Sequence, residues 1–317
     1  MNGLLMAKSA PSVAFIRELY ARMMLARIVD EYAWSLHQQG YIHFVARSCG
    51  HEAAQVGSAI CIERGTDFTL PYYRDLGVAL TLGMTPYEVF RSYLQAVRSG
   101  ESTRANCEQG MPNWGYHKYN TVMGPAPVAT QIMHASGIAF ASKLRKAPVV
   151  TVAYCGDGAT TEADFQEGLR FAAQHQLPVV FICEQTYQQP SLTVPEGIVH
   201  RDVDGANVVA VYSAMQEAMQ CAREGHGPTL LEMHIVRLSS SSSELDEQPA
   251  KEPAKDADRS PSDNAWSDDP LLYCRSLLQQ MGGWDDAWAS QLHVRLIAEV
   301  EQAMQDALRD IRDPSPE

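Results

Sequence analysis

Between residues 148 and 184 the chain alternates in a way that a parallel sheet accommodates. Pro148 to Cys155 is an apolar run rich in β-branched residues that ends in Gly156-Asp157-Gly158. A helical stretch from about Glu162 to Gln176 follows, and then a second buried-type run, Pro178 to Cys183. Strand, glycine turn, helix and strand make a βαβ unit, which needs parallel strands, a right-handed crossover and a ligand place outside the strands' carboxyl ends. The helix predicted over Asn207 to Arg223 and the strand predicted over Thr229 to Leu238 continue the alternation. The expected fold class is therefore α/β, a parallel sheet flanked by helices.

Both ends of the chain read as long helices. After Ser12, a capping residue, Ile16, Leu19, Tyr20, Met23, Met24 and Ile28 recur at helical spacing, and Gly40 supplies a stop. Helices are also predicted from His51 to about Glu63 and from Pro86 to about Arg98, proline being suited to a first helical turn. At the far end Trp288, Leu292, Leu296, Val300, Met304, Leu308 and Ile311 form one stripe. The stretch from Ser239 to about Asn264 is serine-rich and charged, with Leu245 as its one large apolar side chain, so it reads as a flexible loop. The expected organisation is an α/β domain over residues 1–238 that opens with a helical segment, a flexible loop over 239–265 and a C-terminal helical segment over 266–317. The stripes of the two terminal helices exceed what a chain of 317 residues is expected to bury alone, which points to oligomerisation.

Charge narrows the partners. Lys and Arg number 25 against 38 Asp and Glu, a net charge of −13 that repels nucleic-acid phosphates and anionic membrane surfaces. The seven cysteines are scattered without Cys-x-x-Cys spacing, as in a reduced compartment. The longest apolar runs fall short of the roughly 20 residues a membrane span requires, and the N-terminus lacks a secretory layout, so a cytoplasmic location is expected.

Asp157 is the residue best placed for chemistry. At the end of a parallel strand, between glycines that let a phosphate approach, its carboxylate suits a Mg²⁺ ion held against a diphosphate, although such a turn is also common as plain structure. His117, His134, His175, His200 and His234 are not spaced as a metal set and read as packing or surface residues. Glu162, Asp164 and Glu167 open a helix, where carboxylates favour the macrodipole.

The wider pattern decides what the Asp157 turn is for. Gly50-His-Glu-Ala-Ala-Gln-Val-Gly57, Leu70-Pro-Tyr-Tyr73-Arg74-Asp-Leu-Gly77, Ala126-Pro-Val128-Ala-Thr130-Gln131, the Gly156 to Glu184 unit, Val203-Asp-Gly205, Gly227-Pro-Thr-Leu-Leu-Glu232 and Trp284-Asp-Asp stand in order along the chain. Together they resemble the α subunit of the thiamine-diphosphate-dependent first component of 2-oxo acid dehydrogenase complexes, with the branched-chain type most similar. The resemblance implies a thiamine-diphosphate-binding fold. It implies that Tyr73 and Arg74 contact the diphosphate, that Val128 lies under the bent cofactor and that Asp157 is a side-chain ligand of Mg²⁺. Gly156 and Glu184 belong to the same cofactor motif, in which the backbone amides of Gly158 and Ala159 face phosphate oxygens. The plain alternatives are a surface arginine at 74 and a core valine at 128. The implied assembly is a heterotetramer with a β subunit, which supplies the cofactor-activating glutamate. A small-molecule 2-oxo acid is decarboxylated, and its acyl group passes to a lipoyl-bearing acyltransferase component. Branched-chain acids, pyruvate and acetoin all stay open as substrates.

Three departures touch the cofactor side. Where the family continues with two asparagines, any residue and an aromatic, this chain has Gln185-Thr186-Tyr187-Gln188. Thr186 stands for the second asparagine as a metal ligand, with a shorter and poorer oxygen donor, while Gln188 supplies a third ligand through its backbone carbonyl. The segment from Ser191 to Val203 is shorter than the family's. In Arg237-Leu-Ser-Ser-Ser241, Ser241 replaces a functional histidine, and serine cannot serve as an imidazole acid or base near neutral pH. No catalytic residue is assigned in this chain. An active dehydrogenase subunit and a degenerate, non-catalytic structural or regulatory paralogue are the two readings, and the loop over 239–265 is expected to become ordered when cofactor binds.

Overall fold

A computed structural model of the chain describes residues 11–98, 114–123, 127–186, 191–239 and 269–312. Its centre is a parallel sheet of β1 (Phe68–Leu70), β2 (Thr151–Gly156), β3 (Val179–Thr186), β4 (Val199–Asp204) and β5 (Thr229–Ile235), in the spatial order β1-β2-β3-β5-β4. The expected βαβ unit is β2, α6 (Ala163–Gln174) and β3. The α/β fold class holds, and β1 and β4 join a sheet whose middle strands were legible.

Strand alternation divides the core into two layers. Val152, Tyr154, Val180, Ile182, Leu231 and Met233 face a cluster with α2 (Glu52–Ala59), α3 (Leu76–Leu82) and α7 (Val208–Arg223). Ala153, Cys155, Phe181, Cys183 and Leu230 face α6 and α5 (Thr130–Leu144). Gly57 lets α2 lie against α7, because a Cβ there would come within 2.9 Å of the Val208 carbonyl oxygen.

A third cluster joins the helices from both ends of the chain. α1 (Val13–Gln38) begins at Ser12, whose hydroxyl accepts from the Phe15 amide, and Gly40 turns with φ 81° two residues past its end. α9 (Asp286–Arg312) lays Leu292, Leu296 and Val300 into the same cluster as Leu19, Met23 and Val29 of α1 and Phe90 of α4 (Pro86–Arg98). α8 (Pro270–Gln280) completes it with Leu271, Cys274 and Leu278. The stripes expected to need another chain are thus met within this one: each supplies the other's apolar partner.

Arg27 ties these helices together. Its guanidinium pairs closely with the buried Glu52 at the start of α2 and donates to both oxygens of Asp269, at 3.1 and 3.2 Å, the residue that caps α8. Burial pushes the Glu52 carboxyl up from its ordinary value, so Arg27 holds a charge that is costly to bury alone.

Candidate functional site

Asp157 follows β2 directly and opens a short 3-10 turn, Asp157–Ala159. Its Oδ1 accepts from the Gly158 amide at 2.9 Å, so the amide expected to face a phosphate is folded back on the aspartate. The Thr186 hydroxyl, at the end of the neighbouring β3, donates to Asp157 Oδ2 at 3.4 Å. Two hard oxygen donors, 29 residues apart in sequence, therefore meet at the carboxyl ends of adjacent strands. Gln188 and Ser241 lie outside the described residues, as does the loop expected over 239–265 apart from Ser239.

A cation that sequence reasoning missed lies on the same carboxylate. Arg237 Nη2 stands 3.1 Å from Asp157 Oδ1. The turn at Cys49 and Gly50 aims it: the Leu238 amide donates to the Cys49 carbonyl, and Gly50, at φ 101°, passes so close to Val236 that a Cβ would fall 1.8 Å from its carbonyl oxygen. The signal was present, since Arg237 stands next to last in the strand predicted over Thr229 to Leu238 and Gly50 opens the Gly50-to-Gly57 motif, but nothing local connects them.

Tyr73 and Arg74 lie on the turn before α3. Arg74 is only 2% exposed, so it is not a surface arginine; its Nη1 donates to the Arg47 carbonyl at 2.8 Å and its guanidinium stands 5.5 Å from the Tyr73 ring centre. Tyr73 packs edge-on against Tyr72, and its carbonyl accepts from the Trp114 indole. Val128, at 49% exposure, is not core packing; it precedes Ala129, which turns with φ 71° into α5. Gly156 leaves ordinary contact with the Tyr72 ring, a Cβ at Gly158 would meet nothing within 4 Å, and Ala159 is buried.

Glu184 sits in the protein interior. Its Oε2 accepts from the Tyr72 hydroxyl at 2.7 Å and the Gln55 amide at 3.3 Å, and lies 2.6 Å from His51 Nδ1. Gln55 also reaches the Asp75 carboxyl and the Arg74 carbonyl, and accepts from the Gly77 amide. Burial, and next the charge of Glu184, hold the Asp75 carboxyl well above the ordinary carboxylate range; burial likewise raises the Tyr72 phenol. The Gly50-to-Gly57 and Leu70-to-Gly77 motifs thus share one physical purpose: His51, Gln55, Tyr72 and Asp75 lock α2 and the Tyr73-Arg74 turn onto β3. Among the described residues no hydrogen bond joins Glu184 to Asp157.

The donor set suits a divalent cation and an anionic group bound with it. Asp157 and Thr186 offer oxygens, Arg237 already brings a positive charge to that carboxylate, and the buried Arg237 Nε has no hydrogen-bond partner among the described residues. Open parallel α/β sheets bind their ligands outside the carboxyl ends of the strands, which is where Asp157, Thr186 and Arg237 converge.

Comparison with known proteins makes the class specific. Residues 20–315 match the Dehydrogenase E1 component family. The chain is 36% identical over 310 residues to the 2-oxoisovalerate dehydrogenase subunit alpha of Bacillus subtilis (strain 168), covering 92% of this chain and 89% of that relative. It is 32% identical over 312 residues to the 3-methyl-2-oxobutanoate dehydrogenase subunit alpha of Mycobacterium tuberculosis (strain CDC 1551 / Oshkosh), covering 94% and 79%. It is 29% identical over 307 residues to the pyruvate dehydrogenase E1 component subunit alpha of Bacillus subtilis (strain 168), covering 92% and 77%. The chain belongs to the dehydrogenase E1 component family, as a 2-oxo acid dehydrogenase subunit of the alpha type. Among the described residues no helix is long and apolar enough to cross a membrane.

Proposed function

We propose that this chain is the alpha half of a branched-chain 2-oxo acid dehydrogenase first component, holding thiamine diphosphate and Mg²⁺ at an interface with a beta subunit. Membership of the E1 family supports the cofactor and the partner. The observation that carries the metal assignment is the meeting of Asp157 and Thr186 at the carboxyl ends of β2 and β3. Asp157, Thr186 and the Gln188 carbonyl would hold the ion. Tyr73, Arg74, the Ala159 amide and the Gly158 amide, once it leaves Asp157 Oδ1, would hold the diphosphate, with Gly156 giving the backbone room to approach. Val128, exposed at the head of α5, would support the rings from this side, and Glu184 would act indirectly, by fixing the Tyr73-Arg74 turn.

When bound, thiamine diphosphate supplies the nucleophilic carbon that attacks the 2-oxo acid. This chain binds and orients that cofactor; the activating glutamate belongs to the beta subunit, and the acyl group passes to a lipoyl-bearing acyltransferase. Met123 and Met133, near Val128 in sequence and exposed like it, offer apolar surface toward the beta chain. The working assembly is a cytoplasmic heterotetramer, a location in keeping with cysteines scattered along the chain without Cys-x-x-Cys spacing. Residues 1–238, 239–265 and 266–317 act as cofactor domain, cofactor loop and helical clasp.

The test is calorimetric titration of thiamine diphosphate in Mg²⁺ into the chain assembled with its beta subunit, comparing wild type with Asp157→Ala. Saturable binding lost in the variant is expected. Equal binding by both proteins would overturn the metal assignment. Arg237 on Asp157 favours one competing reading, a non-catalytic paralogue whose own cation has taken the metal's place. Absence of binding in both proteins would decide for that reading.

A further inference from the structure

The histidines that had no metal-like spacing in the sequence acquire one across two strands. β4 and β5 pair in parallel with Asp202 opposite Glu232, His200 opposite Leu230 and Asp204 opposite His234. Side chains two apart on a strand share a face, so His200 and Asp202 on β4 meet Glu232 and His234 on β5. One ligand atom each from His200, Asp202 and Glu232 lies within 4.8 Å of the other two. His200 Nε2 is 2.8 Å from Glu232 Oε2, and His234 Nε2 is 2.9 Å from Asp202 Oδ1.

Protein packing alone explains this cluster poorly. Two carboxylates sit directly opposite each other on neighbouring strands, an arrangement that repels. Glu232 is fully buried, and its Oε1 has no hydrogen-bond partner among the described residues. Such an oxygen is costly to leave unmatched. Glu232 Oε2, by contrast, is held by the Leu192 amide at 3.2 Å and faces the Ser191 hydroxyl at 3.5 Å, which orients the carboxylate as outer partners orient a metal ligand.

We infer that His200, Asp202 and Glu232 form a binding site for a divalent first-row transition metal ion such as Zn²⁺, separate from the Asp157 site. One imidazole and two carboxylates suit such an ion better than Mg²⁺, which takes oxygen ligands. Bonds of about 2.0–2.2 Å place ligands roughly 3–4 Å apart, so closing the site asks for shifts of about 1 Å. The Asp202 side chain, 58% exposed, has that freedom. On binding, the Nε2 lone pair of neutral His200 faces the ion and its ring proton resides on Nδ1. His234 holds Asp202 from behind. Because β4 is the sheet's edge strand, the ion would clamp that edge to β5 and leave its remaining positions open to water.

The chain assembled with its beta subunit, in excess Mg²⁺ and thiamine diphosphate to occupy the Asp157 site, is titrated with Zn²⁺ by calorimetry and with Co²⁺ by visible absorption. One equivalent of either metal is expected, with cobalt bands of a low-coordinate nitrogen and oxygen site and a rise in Tm. His200→Ala and Asp202→Asn should each weaken binding at least tenfold and remove the Tm rise, whereas His226→Ala, an exposed histidine elsewhere, should change neither. Asp202 is exposed, so its variant keeps the test valid even if His200→Ala folds poorly. No saturable binding at one equivalent, or unchanged affinity in Asp202→Asn, would overturn the inference.

Discussion

The guanidinium of Arg237 lies against the carboxylate of Asp157, Nη2 to Oδ1 at 3.1 Å, on the residue proposed to hold the metal. Mg²⁺ bound at Asp157 Oδ1 would compete with Arg237 for that oxygen, and an Arg237 displaced from it would turn to the diphosphate. Arg237→Met should therefore leave Mg²⁺ affinity unchanged or higher while weakening thiamine diphosphate roughly ten- to a hundredfold, the worth of a charged hydrogen bond. Separate calorimetric titrations of the assembled complex check this, and equal loss of both affinities would contradict it.

Thr186 reaches Asp157 at 3.4 Å through a short hydroxyl. Thr186→Asn supplies a longer amide oxygen of the kind the family uses. Thiamine diphosphate affinity at fixed Mg²⁺ should rise about tenfold, the effect of ~1.4 kcal/mol from a better ligand. Titration with Ca²⁺ in place of Mg²⁺ would show a smaller gain, since the larger ion tolerates irregular ligands. A fall in affinity would remove Thr186 from the metal shell.

Asp75 is buried beside Glu184, and its carboxyl is held well above the ordinary range, by burial first and by the Glu184 charge second. A folded chain that keeps this proton longer than the unfolded chain loses stability as pH rises from the unfolded value, near 4, through the raised folded one. The contribution is full below that window and gone above it. Asp75→Asn keeps an oxygen for the Tyr72 amide, which Asp75 Oδ2 accepts at 2.8 Å, and has nothing to ionise. Its stability relative to wild type should therefore grow with pH, as measured by urea denaturation at a series of pH values. A difference independent of pH would refute the assignment.

Among the described residues, Arg27 is the ion-pair partner of the buried Glu52. Arg27→Met should cost about 3–5 kcal/mol, because a buried carboxylate is left unpaired. Adding Glu52→Gln should recover much of that loss. Denaturation midpoints of the single and double variants measure both, and a loss below about 1 kcal/mol for the single variant would mean that water screens the pair.

Some of this architecture is written locally. Ser12 and Asn207 cap helices with their own side chains, each accepting from amides two or three residues on, and the stripe from Trp288 to Ile311 needs only a helical period. The runs that became β2, β3 and β5 are apolar because both faces of a central strand are buried. β1, with three residues, and β4, whose Val-His-Arg-Asp-Val-Asp is mostly exposed, carry no such pattern; the sheet's existing edges recruited them. The motifs around Asp157, Tyr73 and Arg74 were legible as residue types, and so pointed to the family. Their partners were not. His51 meets Glu184 across 133 residues, Arg237 meets Asp157 across 80 and His200 meets Glu232 across 32. Propensity and periodicity act over one or two turns of chain. Strand register and loop closure bring distant side chains within 3 Å or so of each other, and only the folded sheet sets them.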